Sequence, residues 1–139
     1  MKLDFGLGDG HRATPQGSRV LLIDDSRTAR ATLARALQDA GFETATVGDA
    51  AEALDALAQR HFYVVVADYQ LPGVTGLELL AILRGEDPAR PLILYSASMT
   101  PDLAAQARIF RVTAVLRSPV APAMLVAAVQ AALRPKAPA

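Results

Sequence analysis

Apolar positions along this chain fall into two alternating patterns. Short β-branched or aliphatic runs occur at 19–24 (RVLLID), 42–47 (FETATV), 63–68 (YVVVAD), 91–96 (PLILYS) and 112–117 (VTAVLR). Ala- and Leu-rich stretches of helical length follow them, near 26–40, 50–60, 75–84, 101–110 and 121–133. The runs at 20–23 and 63–67 are apolar throughout instead of alternating, as expected of strands covered on both faces. Five strand–helix alternations predict an α/β fold: a doubly wound (βα)5 unit with a five-stranded parallel sheet, right-handed crossovers and helices on both faces.

In a sheet of that kind ligands bind outside the carboxyl ends of the strands, so the residues at those ends carry the interest. The first predicted strand ends in Asp24-Asp25, the third in Asp68 and the fourth in Ser96, while the fifth runs into Ser118-Pro119. Three carboxylates from strands far apart in sequence therefore converge on one rim. Packed like charges raise each other's pKa unless a cation sits among them. A hard divalent ion answers that need, and Mg²⁺ favours a few carboxylates with waters and phosphate oxygens. A carboxylate beside Mg²⁺ is also a competent nucleophile toward phosphorus. Ser96 could then donate a hydrogen bond to a phosphoryl oxygen, and Ala97 leaves room for the group to enter. A single Asp at a strand end is more often a cap or turn residue, and Asp24 or Asp25 alone could cap the helix starting near Ser26. An adjacent acidic pair matched by a third carboxylate is harder to explain by capping.

Composition narrows the classes. The 139 residues fit one domain, divided here into an N-terminal arm at 1–18, a folded unit at 19–133 and a tail at 134–139. The arm is Gly-rich, polar and aperiodic, and two prolines in the tail stop the last helix; both are expected to be flexible. With 52% apolar residues a core is available, and with no cysteine neither disulfides nor thiolate metal sites are. Fourteen basic and fourteen acidic residues cancel, which argues against nucleic acid as a partner. Phe62, Tyr63, Tyr69, Tyr95 and Phe110 are too scattered for a base-stacking platform. The clean apolar runs are too short to span a membrane and no signal peptide is visible, so a cytoplasmic protein is expected. His11 and His61 read as solvated or capping residues. Helix 121–133 is apolar over more than one face, which fits either burial or a self-association surface at 101–133.

Three segments resemble the receiver domains of response regulators. VLLIDDSRTAR (20–30) is similar to the family's opening, with an acidic pair, a polar turn and an Arg in the first helix. DYQLPGVTG (68–76) resembles the phosphoacceptor segment, and YSA (95–97) the switch strand. The resemblance covers 19–133 and implies a flavodoxin-like fold like that of single chemotaxis-type receivers. It makes Asp68 the phosphoacceptor. Asp25 and Asp68 would bind Mg²⁺ directly, Asp24 through water, and the Gln70 carbonyl would complete the protein ligands. Ser96 would be the switch hydroxyl, and Gln70 would sit where the family varies its dephosphorylation rate. Leu71-Pro72-Gly73 would shape the loop behind the acceptor, and Ser118-Pro119 would be a site for a cis peptide. The implied partners are a histidine kinase or phosphotransfer protein and a downstream protein. With no DNA-binding or enzymatic segment after 133, output by protein contact is expected. Such a module is not an enzyme beyond its own phosphoryl transfer and dephosphorylation.

Two positions depart from the family pattern. Receivers carry Lys before the Pro that follows the fifth strand, where this chain has Ser118. Arg117 is adjacent, but alternation along a strand turns it to the same side as Val115, away from the acceptor. Val115 itself stands where receivers often place a switching Tyr or Phe. Both departures favour an alternative reading, a pseudo-receiver that binds partner proteins without phosphorylation.

Overall fold

A computed structural model describes residues 19–134. The arm at 1–18 and the tail from 135 onward lie outside the described residues. The chain order is β1 (Arg19–Ile23), α1 (Arg27–Asp39), β2 (Glu43–Val47), α2 (Ala50–Gln59), β3 (Val64–Asp68), α3 (Gly76–Glu86), β4 (Leu92–Ser96), α4 (Pro101–Ile109), β5 (Ala114–Arg117) and α5 (Pro122–Leu133). All strand pairs are parallel and the sheet order is β2-β1-β3-β4-β5.

The apolar runs behave as their pattern demands. Val20, Leu21, Leu22 and Ile23 of β1 and Val64 to Ala67 of β3 have no exposed surface. Their odd-numbered residues pack with Leu77, Leu80 and Leu83 of α3 and Leu103 of α4. Their even-numbered residues pack with Leu33 and Leu37 of α1 and Leu125 and Val129 of α5. Helices therefore cover both faces, α2 to α4 on one and α1 with α5 on the other. Edge strand β2 is only partly buried, in keeping with its alternating Thr and Ala. Helix α5 owes its apolar character mainly to burial: Leu125 and Val129 are fully covered, and of its large apolar side chains Met124 is the exposed one.

Helix starts follow local capping chemistry. Ser26, Asp49, Thr75 and Thr100 each accept a backbone N–H of the turn they open, and Thr75 forms a reciprocal capping box with Glu78. Ends differ from the sequence expectation where tertiary contacts intervene. Helix α3 runs to Glu86, beyond the expected 84, and β5 begins at Ala114, later than the expected 112. Both shifts surround Arg84, a nearly buried side chain at the end of α3. Its guanidinium donates to the carbonyls of Phe110, Asp87, Arg90 and Arg111 at 3.1, 3.1, 2.8 and 2.7 Å. Arg111 adopts a left-handed φ of 53° just past α4, and the N–H groups of Arg111 and Val112 bond back to Arg108 and Ala107. Residue 112 is thereby used to close the helix, while Thr113 already bonds Leu92 of β4 through its N–H and hydroxyl. Among the described residues no helix is long and apolar enough to cross a membrane.

Candidate functional site

Strand order reverses between β1 and β3, and a crevice opens above their carboxyl ends at such a switch point. Asp24 and Asp25 leave the end of β1, and Asp68 ends β3. Carboxylate oxygens of the three residues lie within 4.8 Å of one another. Asp24 is buried, Asp68 partly buried and Asp25 exposed, so the cluster grades from the sheet edge out to solvent.

Asp24 is held at both oxygens. Oδ1 accepts the Ser26 N–H at 2.8 Å, and Oδ2 accepts the Tyr95 hydroxyl at 2.6 Å. The Arg30 guanidinium donates to the Asp24 carbonyl at 3.0 Å, not to its carboxylate. The capping alternative thus has a share of Asp24, through one oxygen that orders the turn, while Ser26 itself caps α1. Among the described residues no ion pair reaches any of the three acids.

Asp68 Oδ1 accepts a long bond from the Gln70 N–H at 3.4 Å. Burial and then the Asp24 carboxylate push its pKa up to about 6, against the Gln70 N–H, with lesser contributions from Asp25 upward and the Tyr69 N–H downward. Burial and the hydrogen bond to Asp24 hold the Tyr95 hydroxyl far above the ordinary phenol range, so it acts as a donor. This donor set consists of hard oxygens with uncompensated negative charge, which suits a small divalent cation. A proton on Asp68 must leave before such an ion binds. Apparent Mg²⁺ affinity is therefore expected to be level above pH 7 and to fall by up to about tenfold per unit below pH 6; calorimetric titrations at pH 5, 6 and 7.5 check this.

The β3–α3 loop is fixed from behind. The Gly76 N–H donates to the Tyr69 carbonyl at 2.7 Å, and the Tyr69 N–H to the Tyr95 carbonyl at 2.8 Å. A Cβ at residue 76 would collide with the Asp68 carbonyl and press on Leu94, so the Gly closing the DYQLPGVTG segment is required for close approach. Gly76→Ala is expected to cost about 2–3 kcal/mol and to weaken Mg²⁺ binding severalfold by displacing Asp68. A denaturant titration alongside a metal titration reads both effects.

The remaining residues singled out in sequence are placed less directly. Ser96 is buried at the end of β4, where its hydroxyl donates to the Ser98 carbonyl at 2.9 Å and accepts the Ser98 N–H at 3.2 Å. It is not bonded to the acids. Gln70 is exposed and reaches Asp68 through its N–H; no contact places its carbonyl. The Ser118–Pro119 peptide is cis, and the Ser118 N–H bonds the Ser96 carbonyl at 2.9 Å. Val115 packs on the α2–α4 side of the sheet, and Arg117, two residues on, is exposed. Tyr95 escaped the sequence reading, in which it was one of several scattered aromatics. The odd positions of β4 share a face with the even positions of β1 and β3, and Tyr95 stands in register with Asp68, an offset that only strand pairing reveals.

Comparison with known proteins places this arrangement. Residues 20–130 match the response regulator receiver domain family. The sensory/regulatory protein RpfC of Xanthomonas campestris pv. campestris is 34% identical over 96 residues, 66% of this chain and 13% of that protein. The response regulator protein FleR of Pseudomonas aeruginosa is 36% identical over 90 residues, 65% of this chain and 19% of that protein. This chain therefore spans only a small part of those relatives' length. Among solved structures, the chemotaxis response regulator CheY4 of Vibrio cholerae superposes with a TM-score of 0.76 at 28% identity, covering 83% of this chain and 98% of that one.

Proposed function

The chain belongs to the response-regulator receiver family, and from that premise we propose that it is a phosphoacceptor of a two-component system, with Asp68 as the residue modified. The observation that carries the reading is the cluster of three carboxylates at the switch point, in which crowding and burial raise Asp68. Asp25 and Asp68 would hold Mg²⁺ directly, Asp24 through water and Gln70 through its carbonyl. Bound there, the ion offsets the charge of an incoming phosphoryl group.

The chain's own residues account for the rest. An Asp68 carboxylate oxygen attacks phosphorus, forming an O–P bond. The bond from phosphorus to the donor breaks, and its electron pair leaves with the imidazole of a histidine kinase or phosphotransfer protein. With a small acyl phosphate as donor, the pair leaves with the carboxylate. Ser96 would turn its hydroxyl from Ser98 to a phosphoryl oxygen, releasing the loop after β4 and altering the surface offered to a downstream protein. Gln70, exposed two residues from the acceptor, would flank the water that later hydrolyses the acyl phosphate. This is self-modification in a cytoplasmic signalling module rather than turnover of a separate substrate.

The pseudo-receiver alternative draws on Ser118, where the family carries Lys, and on half-buried Val115, where it often carries an aromatic. The discriminating experiment is intact-mass analysis after incubation with Mg²⁺ and a small phosphodonor. A gain of one phosphoryl group that needs Mg²⁺ and is lost in mild base supports the phosphoacceptor. A folded, Mg²⁺-binding protein with no gain supports the pseudo-receiver.

A further inference from the structure

The hydrogen bond between Tyr95 and Asp24 spans more of the sheet than a neighbouring contact would. Tyr95 is on β4 and Asp24 follows β1, with β3 between them. Adjacent strands stand about 4.8 Å apart, so the phenol must cross the end of β3 to reach Asp24. Asp68 is the residue in register with Tyr95. Tyr95 packs with Val20, Leu22, Val64 and Val66, and period-two alternation puts Asp24 and Asp68 on that same face. The phenol therefore lies along the flank of Asp68, with its O–H among the acids.

That placement matters because of the charge balance around it. The chain's two lysines are Lys2 and Lys136, both outside the described residues. Among the described residues, no Arg or His forms an ion pair with Asp24, Asp25 or Asp68. A phosphoryl group on Asp68 would bring further negative oxygens to a face where Tyr95 is the side-chain donor already in place. A tyrosine has one proton to donate, and here Asp24 takes it. Asp24 keeps the Ser26 N–H at its other oxygen if that proton is withdrawn.

Resting on the phosphoacceptor reading, we propose that Tyr95 is a phosphoryl-binding residue: its hydroxyl turns from Asp24 to a phosphoryl oxygen on Asp68 and anchors the group from the α1/α5 side of the sheet. The receiver thereby holds its phosphoryl group with a neutral donor, delivered from β4, where Ser118 at the end of β5 offers no ammonium. The swap also couples the two states of the acceptor to Asp24, which loses its Oδ2 partner when the group arrives.

The test compares parent, Tyr95→Phe and Asp68→Asn proteins, titrating Mg²⁺ alone and then beryllofluoride, a phosphoryl mimic, in saturating Mg²⁺. Tyr95→Phe is expected to bind beryllofluoride about threefold to tenfold more weakly than the parent, over and above any change in its Mg²⁺ affinity; this is less than the full worth of a hydrogen bond to a charged acceptor because the bond to Asp24 is given up in exchange. In the parent, an isotope label on the tyrosine ring carbon bearing the hydroxyl should show Tyr95 moving on beryllofluoride addition beyond its response to Mg²⁺. Unchanged beryllofluoride affinity in the variant overturns the proposal and leaves the phosphoacceptor reading standing. A parallel loss of Mg²⁺ and beryllofluoride affinity also overturns it, because the hydroxyl then acts only through Asp24. If Tyr95→Phe does not fold, the labelled parent decides, and a stationary Tyr95 signal is the negative result. A parent that binds Mg²⁺ but not beryllofluoride, or Asp68→Asn that binds it as the parent does, brings down the phosphoacceptor reading itself and this proposal with it.

Discussion

Asp68→Asn is expected to end phosphoryl uptake altogether and, in the absence of metal, to make the protein more stable. Loss of uptake follows from chemistry, since a neutral amide is no nucleophile toward phosphorus. Gain in stability follows from the cluster. Folding moves the Asp68 pKa from 3.8 to about 6 because the ionised form is buried beside Asp24 and Asp25. The native state therefore binds the proton more tightly than the unfolded chain does, and stability falls as pH rises from about 4 to about 6. Above pH 6 the penalty is complete, and below pH 4 it is gone. Taken in full, the shift corresponds to about 3 kcal/mol, which solvent screening of a half-buried carboxylate reduces to about 1–2 kcal/mol. Asn has the same shape and still accepts the Gln70 N–H. At pH 7.5 without metal, the variant should melt about 4–8 °C above the parent, a lead that closes by pH 4. Added Mg²⁺ should narrow the lead from the other side, by stabilising the parent that binds it. Melting curves at pH 4 and 7.5, with and without Mg²⁺, together with intact mass, read all of this. A base-labile phosphoryl adduct on the variant would remove Asp68 as acceptor, and equal melting at pH 7.5 would mean that the acids do not strain one another.

The parts of the molecule that could be read from sequence are those governed by local pattern or topology. Continuous apolar runs at β1 and β3 gave their burial, and the βα rhythm gave a parallel sheet. Together with the rule that such sheets bind at strand carboxyl ends, this puts Asp24, Asp25 and Asp68 on one rim from sequence alone. What was not legible depends on reach across the fold. Tyr95 looks like one more large residue in PLILYS, and its meaning arises only because β4 and β1 are two strands apart with Asp68 between. Ser96 was placed at the right strand end, but its present partner, Ser98, is a matter of loop geometry. The late start of β5 is hidden from sequence because Arg111 takes the left-handed conformation that usually calls for Gly. A faint cue did exist for Arg84. It falls on the buried stripe of Leu77 and Leu80, where a charge needs partners that no local pattern can name.

Those partners make Arg84 the position where a single substitution should harm the fold most without touching the acids. Arg84→Met is expected to lower the melting temperature by about 10–15 °C. Methionine can refill the apolar stem, so the loss isolates the guanidinium. Two of its four acceptors, Phe110 and Arg111, lie where α4 ends, and a third, Asp87, caps the end of α3. Carbonyls at helix ends have no partner within the helix and carry the negative end of its dipole, so one buried cation satisfies two helices together. Burial and then the neighbouring Arg111 draw the Arg84 pKa below its usual value, yet it remains charged because its acceptors are all oxygens. Removing the donor leaves partly buried carbonyls unpaired, at about 1–3 kcal/mol each before relaxation, and water will reach the outer ones; a net loss near 3–4 kcal/mol follows. Arg84→Lys should recover only a minor part, since an ammonium cannot present a planar fork to acceptors on opposite sides. Because the contacts lie at the end of the sheet away from Asp68, the folded fraction of either variant should take up phosphoryl groups as the parent does. If Arg84→Met melted within about 3 °C of the parent, those carbonyls would have found other donors. If it folded normally but lost phosphoryl uptake, the ends of α3 and α4 would be coupled to the acceptor through the sheet, and Arg84 would belong to the signalling machinery.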